Sequence, residues 1–475
     1  MLRVQNTYSK RNEVFHPWNE HIVNMYVCGP TVYDYAHIGH ARTFVVFDGI
    51  RRYLSLKGYN TIYVQNITDI DDKIINRARE LGTSWKEISE VYTKDYLDKI
   101  KKLNIRIDLH PKVTDHIREI IEFIERLIDK GFAYVSPRGS VYFDVDKQPS
   151  YGRLSGNFNK RLWDQGEEVS EKKNPYDFAL WKAAKPGEPF WESPWGRGRP
   201  GWHIECSVMS TKYLGRYIDI HGGGSDLIFP HHENEIAQSE AYFGGRPWVK
   251  YWLHSGMLTV KGEKMSKSLG NIISLKEAIS EWGPETLRLW ILSSHYRTII
   301  EYSDQSLNQA RKLFDRLSFI AQDLMKRIQK EEYISYINDK DLATLLSTID
   351  LANKWYESMD NDFNMGEAVK YLWALTELYY KEVQFSESFA LVSYLYKVLY
   401  ELNRFYGILD KIMLQGFVPS EREISTKLID LILEVRGQLR EKRMYDLADE
   451  IRSRLLSLGI KVIDKGNKSE YFFNP

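Results

Sequence analysis

Cysteine is nearly missing from this chain: two in 475 residues, Cys28 and Cys206. So small a supply excludes a disulfide framework, and in a cytosolic chain even one structural bridge is not expected. An excess of one charge is missing too. Lys plus Arg number 65 and Asp plus Glu number 65, for a formal net charge of zero. Bulk charge therefore announces no nucleic-acid partner, and any contact with RNA has to come from local patches. No apolar run is long enough to span a bilayer. The start, Met1-Leu2-Arg3-Val4-Gln5-Asn6, lacks the apolar core of a secretion signal, so a cytoplasmic location is expected. Internal repeats and low-complexity tracts are absent. What is present is a globular composition, 43% hydrophobic and 13% aromatic, long enough for about three domains.

The first 130 residues read as alternating strand and helix. A buried strand is expected over Asn24–Cys28, broken by Gly29-Pro30. A helix follows over Ala41–Lys57 with Gly58 as its stop, then a strand over Thr61–Asn66, which together make a βαβ unit of the nucleotide-binding type. Thr68 or Asp69 is placed to cap the next helix, with Asp71 and Asp72 in its first turn. A further helix is expected over Thr114–Lys130. Residues 131–200, rich in Gly, Pro and Trp, read as an insertion with hairpin-like pieces such as Val141–Val145. Regular patterning returns with a helix over His203–Leu214, a strand over Tyr217–His221, three glycines at 222–224, a helix from Pro230 to Phe243 and a strand over Tyr251–Leu253. Leu275 to Tyr406 is almost entirely helical with antiparallel-bundle spacing. Two helices and a short β pair, Lys461–Ile463 with Tyr471–Phe473, close the chain.

Four groups of residues carry chemistry. His37-Ile38-Gly39-His40 follows the first strand and opens a helix. Backbone N–H groups and the helix dipole favour anions there, and two imidazoles three residues apart add donors that can follow a phosphate as its charge shifts. Gly39 lets a flat adenine pack on its backbone. Far downstream, Lys264-Met265-Ser266-Lys267-Ser268 lies between Gly262 and Gly270. Two lysines on such a loop suit the spread charge of a phosphoryl-type transition state, and the loop can close over ATP and open to release pyrophosphate. The plain alternatives are two surface histidines and a solvated basic loop. The two strings occurring together, in this order, favour a split ATP site.

Cys28 ends the first strand, Cys206 lies in Gly201-Trp202-His203-Ile204-Glu205-Cys206, and His231 and Glu235 are four apart on one helical face. These four side chains form a zinc-type ligand set. His232 and Glu233 are rivals from the same run that point elsewhere on a helix. A structural zinc, or two core thiols with no metal, remain open readings. His221-Gly222-Gly223-Gly224-Ser225-Asp226 permits close approach of backbone to a ligand, with Asp226 accepting from ribose hydroxyls. The alternative is a tight turn with a capping Asp.

In long strings the chain resembles the cysteinyl-tRNA synthetases, a class I aminoacyl-tRNA synthetase family. The strings are Tyr26-Val27-Cys28-Gly29-Pro30-Thr31-Val32-Tyr33-Asp34 running into the His37 motif, Asn66-Ile67-Thr68-Asp69-Ile70-Asp71-Asp72-Lys73-Ile74, and Ser193-Pro194-Trp195-Gly196. Further matches are Gly201–Ser207, Asp219–Leu227, Pro230–Gln238, the lysine loop, and Leu447–Arg452 with Gly459-Ile460. The resemblance implies an α/β fold: a Rossmann-like parallel-sheet catalytic domain with a short insertion, then an α-helical bundle and a small C-terminal α+β anticodon-binding domain. The expected boundaries are 1–130 and 201–260 for the two catalytic halves, 131–200 for the connective insertion, 261–305 for the lysine loop and stem-contact region, 306–419 for the bundle and 420–475 for the anticodon domain.

The resemblance also implies one zinc per chain held by Cys28, Cys206, His231 and Glu235, selecting the thiolate of L-cysteine over the hydroxyl of serine. Mg²⁺ is expected with ATP. His37, His40, Lys264 and Lys267 are the implied catalytic groups. Gly39, Gly222, Gly223, Gly224 and Asp226 join them at the nucleotide, and Gly29, Thr68, Trp202 and His203 line the amino acid. The implied acceptor is tRNA(Cys), and the implied state is a monomer. The family often has Trp where this chain has Ser469-Glu470-Tyr471, so Tyr471 is the expected stand-in for a base-stacking ring. Two other readings are an amino-sugar ligase that uses cysteine without tRNA and an inactive binding relative. The C-terminal extension argues against the first, and the intact motifs argue against the second.

Overall fold

In the computed structural model, which describes residues 1–159, 171–245, 247–265, 270–329, 337–413, 429, 432–442, 444–457, 459–465 and 468–473, the chain opens with a hairpin for which no strand was expected. Its strands are β1 (Arg3–Asn6) and β2 (Arg11–Val14). Strand β3 (Ile22–Val27), helix α1 (Ile38–Leu56) and strand β4 (Asn60–Gln65) then make the anticipated βαβ unit. Strands β3 and β4 pair in parallel from Ile22 opposite Asn60 to Val27 opposite Gln65. The inner face of α1 buries Phe44, Val45, Phe47, Ile50, Tyr53 and Leu54. Each contributes roughly 1.5–3 kcal/mol by leaving water, and this burial, more than helix propensity, secures α1.

Helix α2 (Asp72–Leu81) is capped by Asp71, whose carboxylate accepts from the N–H of Lys73 at 2.9 Å. This corrects the expected cap at Thr68 or Asp69. The chain stays extended there because Ile67 N–H donates to Pro111 O and Thr68 N–H to Pro30 O. Asp69 turns instead to Thr114, accepting from its N–H at 3.0 Å and its hydroxyl at 2.6 Å. Helices α3 (Trp85–Lys102) and α4 (Ile117–Asp129) follow. The insertion is a four-stranded antiparallel sheet of β5 (Ala133–Val135), β6 (Val141–Phe143), β7 (Phe178–Ala183) and β8 (Gly198–Pro200).

Helix α5 (Trp202–Leu214) leads into β9 (Ile218–Gly224). A wide turn over Ile228–His232 runs into α6 (Glu233–Phe243), and β10 (Val249–Ser255) completes the parallel sheet in the order β10-β9-β3-β4. Glycines 222–224, expected after the strand, lie inside it, opposite Leu253, His254 and Ser255. They are therefore not a tight turn. A Cβ on Gly222 would come within 2.2 Å of the Phe47 ring, so this glycine is what lets α1 lie against β9.

Strands β11 (Leu258–Val260) and β12 (Glu263–Lys264) form a hairpin, and β11 also pairs in parallel with β13 (Ile300–Tyr302). This last strand interrupts a stretch expected to be helical; three residues are too few for a period to show. Helices α7 (Leu275–Trp282) and α8 (Pro284–Ile291) lie between them. All of this belongs to one compact unit, residues 1–307 with 356–368.

The second unit, residues 308–355 and 369–475, carries the helical bundle and the C-terminal elements. Its tail holds a helix over 432–441, another over Tyr445–Ser457, and an antiparallel pair of Ile460–Lys465 with Lys468–Phe473. Tyr471 is buried there with Ile429, Leu433, Leu455, Ile460 and Val462, and Lys326 lies over its ring at 5.1 Å. This overturns the expected base-stacking role, since the ring is spent on the local core. No helix among the described residues is long and apolar enough to cross a membrane.

Candidate active site

Strand β3 ends at Val27, and the next two residues leave the sheet at its carboxyl edge, where parallel α/β sheets bind ligands. Gly29 is required there. Its N–H donates to Asn66 Oδ1 at 2.8 Å, and a Cβ would sit 1.7 Å from the Asn66 carbonyl oxygen. His37 is the N-cap of α1. Its backbone N–H donates to His40 Nδ1 at 3.2 Å, and the two rings stack at 3.8 Å. With Nδ1 accepting, the proton of neutral His40 sits on Nε2, which makes that nitrogen a donor. Burial, and then the neighbouring His37, hold the His40 pKa well below the ordinary histidine value, so this neutral form persists.

The two distant strings do meet. Ile38 N–H donates to Ile273 O at 3.1 Å, Leu275 N–H to Ala36 O at 2.8 Å, and His37 bridges Ser274. The methyl of Met265 lies 3.0 Å from the point where a Gly39 Cβ would be. Lys264 is exposed at the end of β12. Ser266, Lys267 and Ser268 lie outside the described residues. Asp226 is exposed in a short turn after β9, and Gly223 and Gly224 precede it in the strand.

Beside this half-open edge is a buried cluster. Cys28 Sγ is 3.7 Å from Cys206 Sγ and 3.3 Å from Glu235 Oε1. His231 Nε2 is 3.5 Å from Cys206 Sγ and 2.9 Å from Glu235 Oε1. A zinc tetrahedron with bonds of ~2.3 Å to sulfur and ~2.1 Å to nitrogen has edges of ~3.8 Å between sulfurs and ~3.6 Å between sulfur and nitrogen. The sulfur–sulfur and Cys206–His231 separations lie within about 0.1 Å of these edges. All four side chains are buried, and their donor atoms share one small volume. Glu235 Oε2 is buried without a hydrogen-bond partner. The residues fit a zinc-class cation.

Electrostatics point the same way. Burial pushes the Cys28 thiol well above its ordinary range. Burial also raises Cys206, but the hydrogen bond from Cys28 and the nearby His231 overcome it and bring that thiol below the ordinary value. Burial disfavours charge on His231, yet Glu235 and Cys206 raise it to about 10. Cys206, His231 and Glu235 thus face one another in a buried cluster, a donor set that a cation would draw together.

The remaining expected residues are close by. Trp202 stacks on the His231 ring at 4.2 Å, and His203 Nδ1 is 3.0 Å from His231 Nδ1. The Thr68 hydroxyl donates to Glu205 Oε2 at 2.8 Å and accepts from Asn66 Nδ2 at 3.2 Å. Glu233 does point away, accepting from Ser155 N–H at 2.8 Å. His232 does not: its Nε2 is 3.2 Å from Cys28 Sγ. The 228–232 turn is not α-helical, because Phe229 is extended (φ −138°, ψ 132°), so the helical rule that adjacent residues diverge does not hold. His221 also faces the cluster, with Nε2 3.5 Å from Cys28 Sγ. It was read only as the preface to the glycines. Its position on a strand that enters the site was the available signal.

Comparison with known proteins gives a consistent picture. Residues 14–312 match the family model described as tRNA synthetases class I (C) catalytic domain. A protein of Aeropyrum pernix named cysteine--tRNA ligase is 58% identical over 472 residues, covering 99% of each chain. A cysteine--tRNA ligase of Saccharolobus solfataricus is 51% identical over 473 residues, again covering 99% of each. Among solved structures, Mycobacterium tuberculosis methionyl-tRNA synthetase in complex with methionyl-adenylate aligns with a TM-score of 0.61 at 18% identity, over 87% of this chain and 94% of that one. Agrobacterium radiobacter LeuRS, in a ternary complex with tRNA and LeuAMS, aligns with a TM-score of 0.66 at 10% identity, over 84% and 86%. At these identities the structures speak to the fold.

Proposed function

The chain belongs to the cysteine--tRNA ligases, a family of class I tRNA synthetases, and on that premise we propose that it joins L-cysteine to tRNA(Cys) in two steps with ATP. First, a carboxylate oxygen of cysteine attacks the α-phosphorus of ATP; the new P–O bond forms as pyrophosphate leaves, giving cysteinyl-adenylate. Then a hydroxyl of the terminal tRNA ribose attacks the activated carbonyl, and AMP leaves. The observation that carries this reading is the buried quartet of Cys28, Cys206, His231 and Glu235 beside the His37–His40 helix start. The amino-sugar and inactive-relative readings find no support in relatives matched over their whole length under one activity.

At the nucleotide, the Nε2 proton of His40 and the ring of His37 stabilise charge as it moves onto the leaving pyrophosphate, with Lys264 and Lys267 supplying cations from the other side. Gly39 and the Gly222–Gly224 backbone admit the nucleoside, and Asp226 accepts from its ribose. Mg²⁺ accompanies the phosphates. Cys28, Cys206, His231 and Glu235 would hold zinc. When bound, it supplies a soft Lewis acid that prefers thiolate to hydroxyl, the difference that shape alone discriminates poorly. Trp202 packs on His231 and keeps water from that ligand, while Gly29, Thr68 and His203 line the amino-acid side. Residues 131–200 act as the connective insertion, 261–305 as the loop and stem-contact region, 306–419 as the bundle and 420–475 as the anticodon-binding part of a cytoplasmic monomer.

Pyrophosphate exchange into ATP tests the first step and charging of total tRNA tests the second. Exchange is expected with cysteine and not with serine, and charging only when tRNA is added. Equal exchange with serine refutes the sulfur-selective reading.

A further inference from the structure

Arg42 lies on α1, two residues beyond His40, and is 1% exposed. Among the described residues no carboxylate pairs with it. Its partners are backbone carbonyls. Nη1 donates to Ile291 O at 3.1 Å, at the end of α8. Nη2 donates to His295 O and Tyr296 O at 3.0 Å each and to Thr298 O at 3.2 Å. Burial lowers its pKa to about 10, so the guanidinium keeps its charge at neutral pH. Burying a lone cation is costly, and packed apolar side chains would hold a helix against a loop as well. What the guanidinium adds is direction, since its planar donors fix several carbonyls at once. We propose that Arg42 is a positioning residue for adenylate formation: through residues 291–298 it sets the hairpin that carries Lys264 at a fixed distance from His37 and His40. The inference rests on the reading above that these three residues and Lys267 act on the ATP phosphates.

The lysine string is tied to the start of α1 on both of its sides. Behind it, Ile38 N–H donates to Ile273 O and Leu275 N–H to Ala36 O. Ahead of it, the connection runs through the carbonyls that Arg42 holds. Tyr296 O accepts from Gly256 N–H at 2.8 Å as well as from Arg42, and Ile300 N–H donates to Met257 O at 3.1 Å. From there β13 pairs with β11, and β11 with β12, where Lys264 lies opposite Thr259. The approach is backbone against backbone, since a Cβ on Gly256 would lie 2.1 Å from Thr298 O. The loop is itself anchored: Tyr296 is fully buried and its hydroxyl donates to Asp362 Oδ1 at 2.9 Å. A hydroxyl pair, Thr43 Oγ1 and Ser255 Oγ at 3.0 Å, adds a contact between α1 and the end of β10. Arg42 thus joins the helix of one ATP string to the segment that leads into the other. A point-charge ammonium cannot span Ile291 O and Thr298 O in the same way, so lysine is a poor substitute.

The test compares the two chemical steps in the full chain. Arg42→Lys is expected to lower the single-turnover rate of adenylate formation by roughly 10²-fold, the usual cost of a misplacement near 1 Å. KM for cysteine and the transfer of cysteine from preformed adenylate to tRNA are expected to stay as they are, because neither uses the lysine hairpin. Gly256→Ala displaces the same carbonyls with Arg42 intact and is expected to give the same split. In a Lys264→Ala/Lys267→Ala background, Arg42→Lys is expected to cost little more, since the cations it positions are gone. Losses that multiply in that background overturn the proposal. So does an equal loss of both steps in Arg42→Lys and Gly256→Ala, which makes the contact plain scaffold. Adenylate formation by the unaltered chain is the reference. Without it the proposed activity itself falls; with it, and with an undiminished rate in Arg42→Lys, only the positioning role falls.

Discussion

Around Cys28, the donor side chains are buried from bulk solvent, and the donor atoms of the quartet lie within 4.8 Å of one another. Around His37 the setting changes within a few residues: His37, Gly39 and His40 are half-buried and Lys264 is exposed. The two regions share one sheet edge and, on the proposed reading, handle different chemistry. Telling sulfur from oxygen needs desolvated, preset donors, because a solvated site would let water mask the difference. Phosphate charge moves during the reaction and pyrophosphate has to leave, so donors there work from a rim. The lesson is that burial follows what has to be discriminated.

The hardest blow to that contrast is Cys206→Ser. It is expected to lose zinc and to reduce cysteine-dependent pyrophosphate exchange by well over the roughly 10–100-fold that losing a mere supporting residue costs. Metal content and exchange rate measured on the same sample check it. Intact exchange would make the quartet ordinary core. At the rim, His40→Ala should lower kcat by about 10²–10³ with little change in KM for cysteine, the usual loss of one preset donor. A change mainly in KM would move His40 from the transition state to ground-state binding. Gly222→Ala tests the wall between the regions. Its Cβ meets Phe47, so a destabilisation of about 1–3 kcal/mol is expected in thermal melts, partly relieved by Phe47→Leu. The smallest effect is in pH. Because burial and His37 depress the His40 pKa, its neutral form is present at neutral pH and is lost only as pH falls below the ordinary histidine value of about 6.5. The acid limb that separates the unaltered enzyme from His40→Gln should lie below that value. A limb at or above it would refute the neutral Nε2–H assignment.

Much of this was legible in the residues. The βαβ unit over 22–65 showed as an apolar strand, a helical period ended by Gly58, and a second apolar strand. The quartet could be named because His231 and Glu235 are four apart and the chain has only two cysteines. What escaped did so for stated reasons. β13 is too short to carry a period. The α2 cap moved to Asp71 because long-range backbone hydrogen bonds keep residues 67–68 extended. The glycines at 222–224, expected to follow the strand, pair within β9, and at Gly222 the Phe47 ring needs the space. Tyr471, expected from the resemblance to stand in for a base-stacking ring, is part of a small core.

The sequence by itself determined most of the longer elements and named the candidate ligand types and the two candidate nucleotide strings, since these depend on local period, side-chain chemistry and spacing. The tertiary structure alone decided which imidazoles face Cys28. His232 turns inward because Phe229 breaks the helical rotation before α6, and His221 because β9 sits next to β3 in the sheet. Directions set by an irregular turn and by a neighbour nearly two hundred residues away in the chain (His221 to Cys28) have no local signature to read.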